Sequence, residues 1–274
     1  MSVAARQAAL LAWYRGSHRD LPWRRTDDPY AVLVSEVMLQ QTQVDRVVPR
    51  YERFLRRFPN VAALATAPLA DVLDEWSGLG YNSRAKRLHD AARCVDRDGW
   101  PAHASGLREL PGIGPYTAAA VASFAFGERV GAVDTNVRRV LSRWSGRALA
   151  GRELEAAAAD ELPEDAATWN QAVMELGAVL CRPRSPRCAD CPVEVWCADP
   201  TVYEPPPPQA PFEGSRRQLR GAVLRALRSG PKPFDDLRGL TNGHSIEDVL
   251  TDLTREGLIE ETDGTWALPK GIDA

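Results

Sequence analysis

The chain has 274 residues, of which 44% are hydrophobic and 26% are charged, and its formal net charge is −3. This composition excludes a collagen-like chain, a coiled coil and a wholly disordered chain. The length predicts about two domains and suffices to bury a core without disulfides. The acidic total argues mildly against a nucleic-acid partner. However, residues 1–203 carry 25 basic and 25 acidic side chains, so the excess, 12 acidic against 9 basic, lies in residues 204–274.

Apolar residues recur with a helical period up to about residue 200. Leu88, Ala91, Ala92 and Val95 form one such face, and prolines separate successive segments. We therefore predict an all-α domain over residues 1–200. No apolar run reaches the roughly 18 residues of a membrane span, and the N-terminus has neither the basic head nor the apolar core of a signal peptide. We expect a cytoplasmic protein with no membrane partner.

The composition and the periodicity of the sequence change after this domain. A proline-rich segment at residues 201–214 predicts an extended linker. Residues 215–274 then contain two helical patterns, which end near Gly230 and Gly257, and the turn Thr262-Asp263-Gly264 between two strand-like segments. Helices followed by a β-hairpin resemble a small α+β winged-helix-like module. Because residues 204–274 hold the acidic excess, we do not expect this module to be a second strong DNA clamp.

Four of the five cysteines follow the spacing C-x6-C-x2-C-x5-C, at Cys181, Cys188, Cys191 and Cys197. Four thiolates that converge on one centre suit either zinc or a cubane iron–sulfur cluster. Structural zinc more often uses two C-x2-C pairs, and this sequence has one. Cys94, the remaining cysteine, lies in a helical pattern and is expected to fill the core.

The segment Leu110-Pro111-Gly112-Ile113-Gly114-Pro115-Tyr116-Thr117 leads directly into an alanine-rich helical pattern. Gly112 and Gly114 permit a tight turn, and the N–H groups and positive end of the next helix can bind a phosphate. An ordinary turn between helices is the alternative. Asp134 precedes another helical pattern, where an aspartate also suits an N-cap.

Glu36 stands among apolar positions of a helix, in Ser35-Glu36-Val37-Met38-Leu39. One interpretation is a buried carboxylate that is paired with a cation. The other is a functional acid, because desolvation raises the pKa of a carboxyl group and lets it donate a proton near neutrality.

Together these motifs resemble the MutY-type adenine DNA glycosylases of the endonuclease III superfamily. The resemblance spans roughly residues 5–200 and also includes Leu21-Pro22-Trp23-Arg24, the run Gln40-Gln41-Thr42-Gln43 and Gly78-Leu79-Gly80-Tyr81. It implies a helix–hairpin–helix glycosylase fold and, as the partner, double-stranded DNA that contains a mismatch. It also implies one [4Fe–4S] cluster on the four clustered cysteines, in the loop 181–197.

The resemblance assigns roles to the residues of the active site. Glu36 would protonate adenine N7 and later activate water, and Asp134 would stabilise the oxocarbenium-like sugar. Tyr116 would support Asp134 or the sugar, with simple packing in the hairpin as the alternative. The base pocket would be lined by Trp23, Arg24 and Leu39.

The resemblance also indicates which residues meet DNA. Tyr81 would wedge into the duplex beside the lesion and compensate for the unstacking of the flipped base; the alternative is a ring packed on its own turn. The family's usual second tyrosine is here Asn82, so the contact with the opposite base is expected to differ. The other expected DNA contacts are Gln41, Thr42, Arg84, Gly112, Gly114, Arg138 and Arg139.

Endonuclease III-type enzymes carry, at the position of Tyr116, a lysine that forms a Schiff base during strand cleavage. A tyrosine cannot form an imine. The resemblance therefore implies a monofunctional enzyme without lyase activity.

We therefore expect a monomeric, nucleoid-associated adenine DNA glycosylase that acts on adenine mispaired with guanine or 8-oxoguanine. The NUDIX-like C-terminal domain of full-length MutY enzymes is expected to be missing, since residues 215–274 are too few for it. Two alternatives remain. One is a thymine or uracil mismatch glycosylase of the same superfamily, and the other is an iron–sulfur DNA-binding protein that has lost catalysis.

Overall fold

A computed structural model of the chain describes residues 2–203 and 210–269. The proline-rich part of the predicted linker, residues 204–209, lies outside the described residues. Within them, no helix combines the length and the apolar character that crossing a bilayer requires.

Every regular element within residues 2–203 is helical, as the apolar period predicts. The α-helices are α1 (Val3–Ser17), α2 (Pro29–Leu39), α3 (Val44–Arg57), α4 (Val61–Ala65), α5 (Leu69–Glu75), α6 (Ser83–Asp98), α7 (Ala104–Leu107), α8 (Pro115–Phe126), α9 (Thr135–Ser145), α10 (Gly151–Asp160) and α11 (Ala166–Val179). Short 3₁₀ helices lie at Pro22–Arg24, Cys188–Asp190 and Glu194–Trp196. The prediction of an all-α fold for this part of the chain is confirmed.

The C-terminal module, defined here as the described residues 215–269, mixes helices with a small sheet. Its elements are α12 (Arg216–Leu227), β1 (Lys232–Pro233), α13 (Phe234–Leu237), a 3₁₀ helix (Arg238–Leu240), α14 (Ile246–Arg255), β2 (Glu260–Thr262) and β3 (Thr265–Ala267). The three strands are antiparallel in the order β1-β3-β2. Asp263 and Gly264 connect β2 to β3 with φ angles of 51° and 72°, as a tight hairpin turn requires. The predicted helices and hairpin are confirmed.

Contacts between residues divide the chain into two compact units. The first unit comprises residues 1–36 and 100–207, and the second comprises residues 37–99 and 208–274. The C-terminal module therefore belongs to the same unit as α3–α6, although the composition of the sequence places a boundary at residues 201–214. Composition reports where the linker lies along the chain, whereas the units report which segments pack together.

The core of the first unit lies among α1, α9 and α11. Leu10, Val140 and Leu176, one from each helix, are fully buried. The rings of Trp144 and Trp169 contact each other with centroids 6.2 Å apart. This core fixes the N-terminal end of α9, where Asp134 is the N-cap residue.

Gly177 allows α9 and α11 to approach closely. A Cβ atom added at Gly177 would lie 2.6 Å from Cβ of Asn136 and 3.2 Å from its Cα. Both contacts involve atoms at the root of a side chain, which cannot swing away. The start of α9 thus depends on a glycine in α11.

In the second unit, the C-terminal module packs on α5 and α6. The Arg228 guanidinium lies 2.8 Å from the Asp74 carboxylate and donates to the Asp74 carbonyl oxygen at 3.1 Å. Gly257 follows α14 with a φ of 67°, and a Cβ there would lie 2.8 Å from Cε of Lys86. The module is therefore attached to α5 and α6 by an ion pair and by a close backbone approach.

We predict that Gly177→Ala lowers the free energy of unfolding by about 1–3 kcal/mol, because the added methyl group forces α9 away from α11. Gly16→Ala is the matched control, since Gly16 is also helical and nothing lies within 4 Å of its added Cβ. That control should be neutral or slightly stabilising, because alanine favours a helix. Urea unfolding of both variants measures the difference. Equal stabilities would show that the helix contact tolerates a side chain.

Candidate active site

Glu36 is a buried acid on α2, and one side chain of the described residues binds it directly. It is 5% exposed and is surrounded along α2 by buried apolar residues such as Val34 and Val37. The Tyr116 hydroxyl donates a hydrogen bond to Glu36 Oε2 at 2.7 Å. The partner is therefore a neutral donor, and no cation within residues 2–203 and 210–269 contacts the buried carboxyl group directly.

This environment raises the pKa of Glu36 to about 7. Burial is the main cause, and the negative charge of Asp134 adds to it. The hydrogen bond from Tyr116 and the positive charge of Arg24 act in the opposite direction without cancelling the effect. Glu36 can therefore be protonated at neutral pH, as the second interpretation of the sequence requires.

Tyr116 lies in the first turn of α8, which follows the N-cap Gly114 and begins with Pro115. Burial raises the pKa of the Tyr116 hydroxyl well above its usual value, and the nearby acids Glu36 and Asp134 add to this. The phenol therefore stays protonated and acts as a hydrogen-bond donor to Glu36.

Asp134 is the N-cap residue of α9, and both of its carboxylate oxygens accept hydrogen bonds. Oδ1 accepts from the Val137 backbone N–H at 2.7 Å, and Oδ2 accepts from Asn136 Nδ2 at 2.7 Å. Burial raises the pKa of Asp134, while these hydrogen bonds oppose the rise. The capping interpretation is correct as far as it goes, but the same carboxylate is close enough to raise the pKa of Glu36.

Arg139 was expected to contact DNA, but the structure buries it with 4% of its surface exposed. Its guanidinium donates to Asn136 Oδ1 at 2.9 Å, to the Gly177 carbonyl at 2.7 Å and to the Cys181 carbonyl at 2.7 Å. These internal acceptors leave it unavailable to a phosphate. Arg139 instead holds Asn136, which in turn holds Asp134.

Arg138 and the hairpin glycines remain accessible. Arg138 is partly exposed and donates from Nε to the Leu149 carbonyl at 3.1 Å. Gly112 and Gly114 are exposed, and Gly112 adopts a φ of 75° that favours glycine. The hairpin therefore presents backbone at the N-terminus of α8, as the sequence predicts.

Trp23 and Arg24 form the 3₁₀ turn near the N-terminus. Trp23 is 8% exposed, and the Arg24 guanidinium lies over the Tyr14 ring at 5.6 Å. Arg24 also donates to the Arg19 carbonyl at 3.0 Å and to Glu175 Oε2 at 2.8 Å. Its orientation is thus set by three neighbours.

Glu175 is a residue of this site that the sequence analysis missed. It is fully buried in α11 and binds Arg19 through both carboxylate oxygens, at 2.8 Å each, as well as Arg24. Burial alone would raise the pKa of Glu175, but the hydrogen bonds from Arg19 and Arg24 outweigh it and lower the pKa to about 2. A glutamate among apolar residues, in Val173-Met174-Glu175-Leu176, was the signal that could have revealed it.

Arg84 in the second unit is also buried rather than directed at DNA, with 8% of its surface exposed. It donates to the carbonyls of Val37 at 2.7 Å, Gln40 at 2.6 Å and Leu79 at 3.1 Å, and to Thr42 Oγ1 at 3.2 Å. Burial lowers the pKa of Arg84 to about 10, so it stays charged at neutral pH. Its role is to join the loop after α2 to the loop before α6.

The other residues expected at DNA in the second unit lie on these two loops. Gly78, Gly80 and Tyr81 have φ angles of 89°, 74° and 47°, so three residues of the loop before α6 adopt a positive φ. Asn82, the N-cap of α6, is partly exposed. Gln41 is exposed with a φ of 56°. Thr42 and Leu39 are partly exposed, and Leu39 is the last residue of α2.

The four clustered cysteines line one cavity of about 160 Å³ in the first unit, which also contacts Arg143, Leu176 and Leu180. Arg143 donates from Nη1 to the Cys181 sulfur at 3.2 Å. Within the described residues, no group of three or more His, Cys, Asp or Glu side chains is placed so that it could hold a metal ion. The donor set itself, four cysteine sulfurs around one cavity, suits either zinc or a cubane iron–sulfur cluster.

Comparison with known proteins first gives the class of protein to which the chain is similar. Residues 34–163 match the model of the HhH-GPD superfamily base excision DNA repair proteins. The fold is similar to a solved thermostable thymine-DNA glycosylase, with a TM-score of 0.67 and 30% sequence identity over 72% of this chain and 95% of that chain.

The comparison with curated proteins narrows the class. The chain is 44% identical to the adenine DNA glycosylase of Mycobacterium tuberculosis (strain CDC 1551 / Oshkosh), over 95% of this chain and 92% of the relative. It is 43% identical to the adenine DNA glycosylase of Homo sapiens, over 71% of this chain and 39% of the relative. The chain therefore belongs to the adenine DNA glycosylases, and it removes adenine from DNA in base excision repair. The expected family, fold and activity are confirmed.

We predict that Glu175→Gln lowers the free energy of unfolding by about 3–5 kcal/mol, because it leaves the Arg24 charge buried without its counterion. Asp20→Asn is the control, since it removes an ion pair with Arg25 in which both side chains are more than half exposed, and such pairs contribute little. Urea unfolding at neutral pH measures both variants. A Glu175→Gln variant as stable as Asp20→Asn would contradict the account.

Proposed function

We propose that the enzyme excises adenine mispaired with 8-oxoguanine or guanine by acid catalysis from Glu36, and that it leaves an abasic site in an uncut strand. The observation that supports this most is the 2.7 Å hydrogen bond from Tyr116 to a buried Glu36 whose pKa is about 7. A carboxyl group with this pKa is near the optimum for transferring a proton at neutral pH.

In the first step, Glu36 donates its proton to N7 of the flipped adenine. Because Tyr116 donates to Oε2, the transferable proton is carried by Oε1. The N-glycosidic bond then breaks, and its electron pair leaves with the protonated base. Arg24 and Trp23 support this step by bounding the base pocket, and Glu175 fixes Arg24.

In the second step, the Asp134 carboxylate stabilises the positive sugar. Asp134 is held by Val137 and Asn136, so little reorganisation is needed as the charge develops. The Glu36 carboxylate, now without its proton, accepts a proton from a water molecule whose oxygen bonds to C1′ of the sugar. This restores protonated Glu36 and completes the hydrolysis.

The absence of lyase chemistry follows from Tyr116. A Schiff base requires an amine close to C1′, and the residue that contacts Glu36 is a phenol. We therefore propose a monofunctional glycosylase. We also propose that it acts as a monomer on DNA of the nucleoid.

Several accessible groups would hold the duplex. The backbone at Gly112 and Gly114 would offer N–H groups to a phosphate without any basic side chain, and Arg138 would contribute a positive charge. Tyr81 would insert as the wedge, with Asn82 beside it. Gln41 and Thr42 would lie at the DNA face, and Leu39, the last residue of α2, would contact the flipped base.

The four cysteines Cys181, Cys188, Cys191 and Cys197 would hold one [4Fe–4S] cluster. Burial raises the pKa of the Cys191 and Cys197 thiols to about 11, so a cationic metal centre is needed to keep them ionised. The cluster would supply a structural cross-link for the loop 181–197. Arg139, which binds the Cys181 carbonyl and Asn136, would connect that loop to Asp134.

A panel of duplexes tests this function. We predict base release, detected by alkaline strand cleavage, from duplexes with A:8-oxoguanine and A:G, and none from T:G or U:G. Without alkali the strand should stay intact, and borohydride should trap no protein–DNA adduct. Glu36→Gln should abolish release while still binding the duplex. Release from T:G or U:G alone, or a borohydride adduct, would contradict the proposal.

A further inference from the structure

The C-terminal module contributes a side chain to the loop that carries Tyr81. Arg217, in the first turn of α12, donates from Nη1 to the Tyr81 hydroxyl at 2.8 Å, and its guanidinium lies 5.6 Å from the centroid of the Tyr81 ring. The Arg84 guanidinium also lies 5.6 Å from this centroid. The ring of Tyr81 therefore contacts two guanidinium groups, one from α6 and one from the C-terminal module.

Arg217 differs from the neighbouring arginines of the same module. Arg216, Arg220 and Arg228 pair with acidic residues, namely Asp252, Glu256 and Asp74. These pairs fix α12 against α14 and α5. Arg217 binds the tyrosine hydroxyl together with the carbonyls of Ala210 and Pro211, so its guanidinium is held on both sides.

The loop needs such support because of its backbone. Tyr81 has a φ of 47° and follows two glycines with positive φ, a conformation that is unfavourable for a residue with a large side chain. The side chain of a tyrosine in such a loop can adopt several rotamers. A hydrogen bond to its hydroxyl and a cation over its ring select one of them.

We infer that Arg217 is a positioning residue for Tyr81, through which the C-terminal module contributes to the recognition of mismatched duplex DNA. The inference rests on the proposed role of Tyr81 as the wedge. It gives the module a function that does not require the module itself to clamp phosphates, in agreement with its acidic balance. It also accounts for the attachment of the module to α5 and α6, on either side of the Tyr81 loop in the chain.

The test is a double-mutant cycle on mismatch discrimination in the full chain. The readout is the ratio of Kd for a fully matched duplex to Kd for a duplex with 2′-fluoro-2′-deoxyadenosine opposite 8-oxoguanine, which resists cleavage. Arg217→Ala should lower this ratio about fivefold, a typical loss for one cation–π contact with a hydrogen bond. Tyr81→Ala should lower it at least as much, and the double variant should match Tyr81→Ala.

Two further variants separate the parts of the contact. Tyr81→Phe retains the ring and loses the hydroxyl, so it should show part of the loss, and Arg217→Lys should restore part of the ratio. Arg220→Ala is the matched control, because it breaks the pair with Glu256 in the same helix and should leave the ratio unchanged. Thermal unfolding of each variant verifies that the module is folded.

The outcomes are distinguishable. Equal weakening of both duplexes by Arg217→Ala, additive with Tyr81→Ala, would mean a plain phosphate contact and would overturn the inference. Tighter mismatch binding by Arg217→Ala would also overturn it, since the contact would then be inhibitory. If Tyr81→Ala changes the ratio and Arg217→Ala does not, only the inference fails. If Tyr81→Ala has no effect, the wedge role fails, and the inference fails with it.

Discussion

The proposed chemistry depends on the burial of one carboxyl group, that of Glu36, which has no direct cationic partner among the described residues. Glu36 lies in an apolar stretch of α2, where a charged carboxylate is costly and a protonated one is not. The protein provides Tyr116 as a neutral donor, and it gives the nearby Arg24 a separate anion, Glu175. If Arg24 bound Glu36 instead, the pKa of Glu36 would fall and the acid would be lost. In the proposed mechanism, the buried pair of Arg24 with Glu175 of α11 thus preserves the acidity of Glu36.

The surroundings of the two acids, Glu36 and Asp134, differ. Asp134 accepts two hydrogen bonds, which favour its ionised form, whereas Glu36 accepts one, from a phenol. Burial raises the pKa of both carboxyl groups, and in the proposed mechanism Glu36 is the acid while Asp134 stabilises the developing charge. The backbone fixes the position of each acid. Asp134 is fixed at the N-terminus of α9, whose position depends on Gly177, while Glu36 is fixed by the apolar face of α2.

Much of this arrangement could be predicted from the sequence, because it depends on local patterns of residues. The helical period, the glycine turn before α8 and the hairpin at Asp263-Gly264 each depend on neighbouring residues. The partners of the arginines were harder to predict from the sequence. Arg84 and Arg139 occur in basic helical segments that could equally meet phosphates, and only the fold shows that carbonyl oxygens from distant segments satisfy them. Glu175 and Arg217 were missed for the same reason, since their partners are more than a hundred residues away in the chain.

Infrared difference spectroscopy measures directly whether Glu36 carries a proton near neutral pH. The protonated carboxyl band that disappears in Glu36→Gln should titrate with a midpoint near pH 7. In Tyr116→Phe the midpoint should move higher, because the hydrogen bond that lowers the pKa is removed. A midpoint near 4.5, the ordinary value for a glutamate, would contradict the account, since Glu36 would then be ionised and unable to act as the acid.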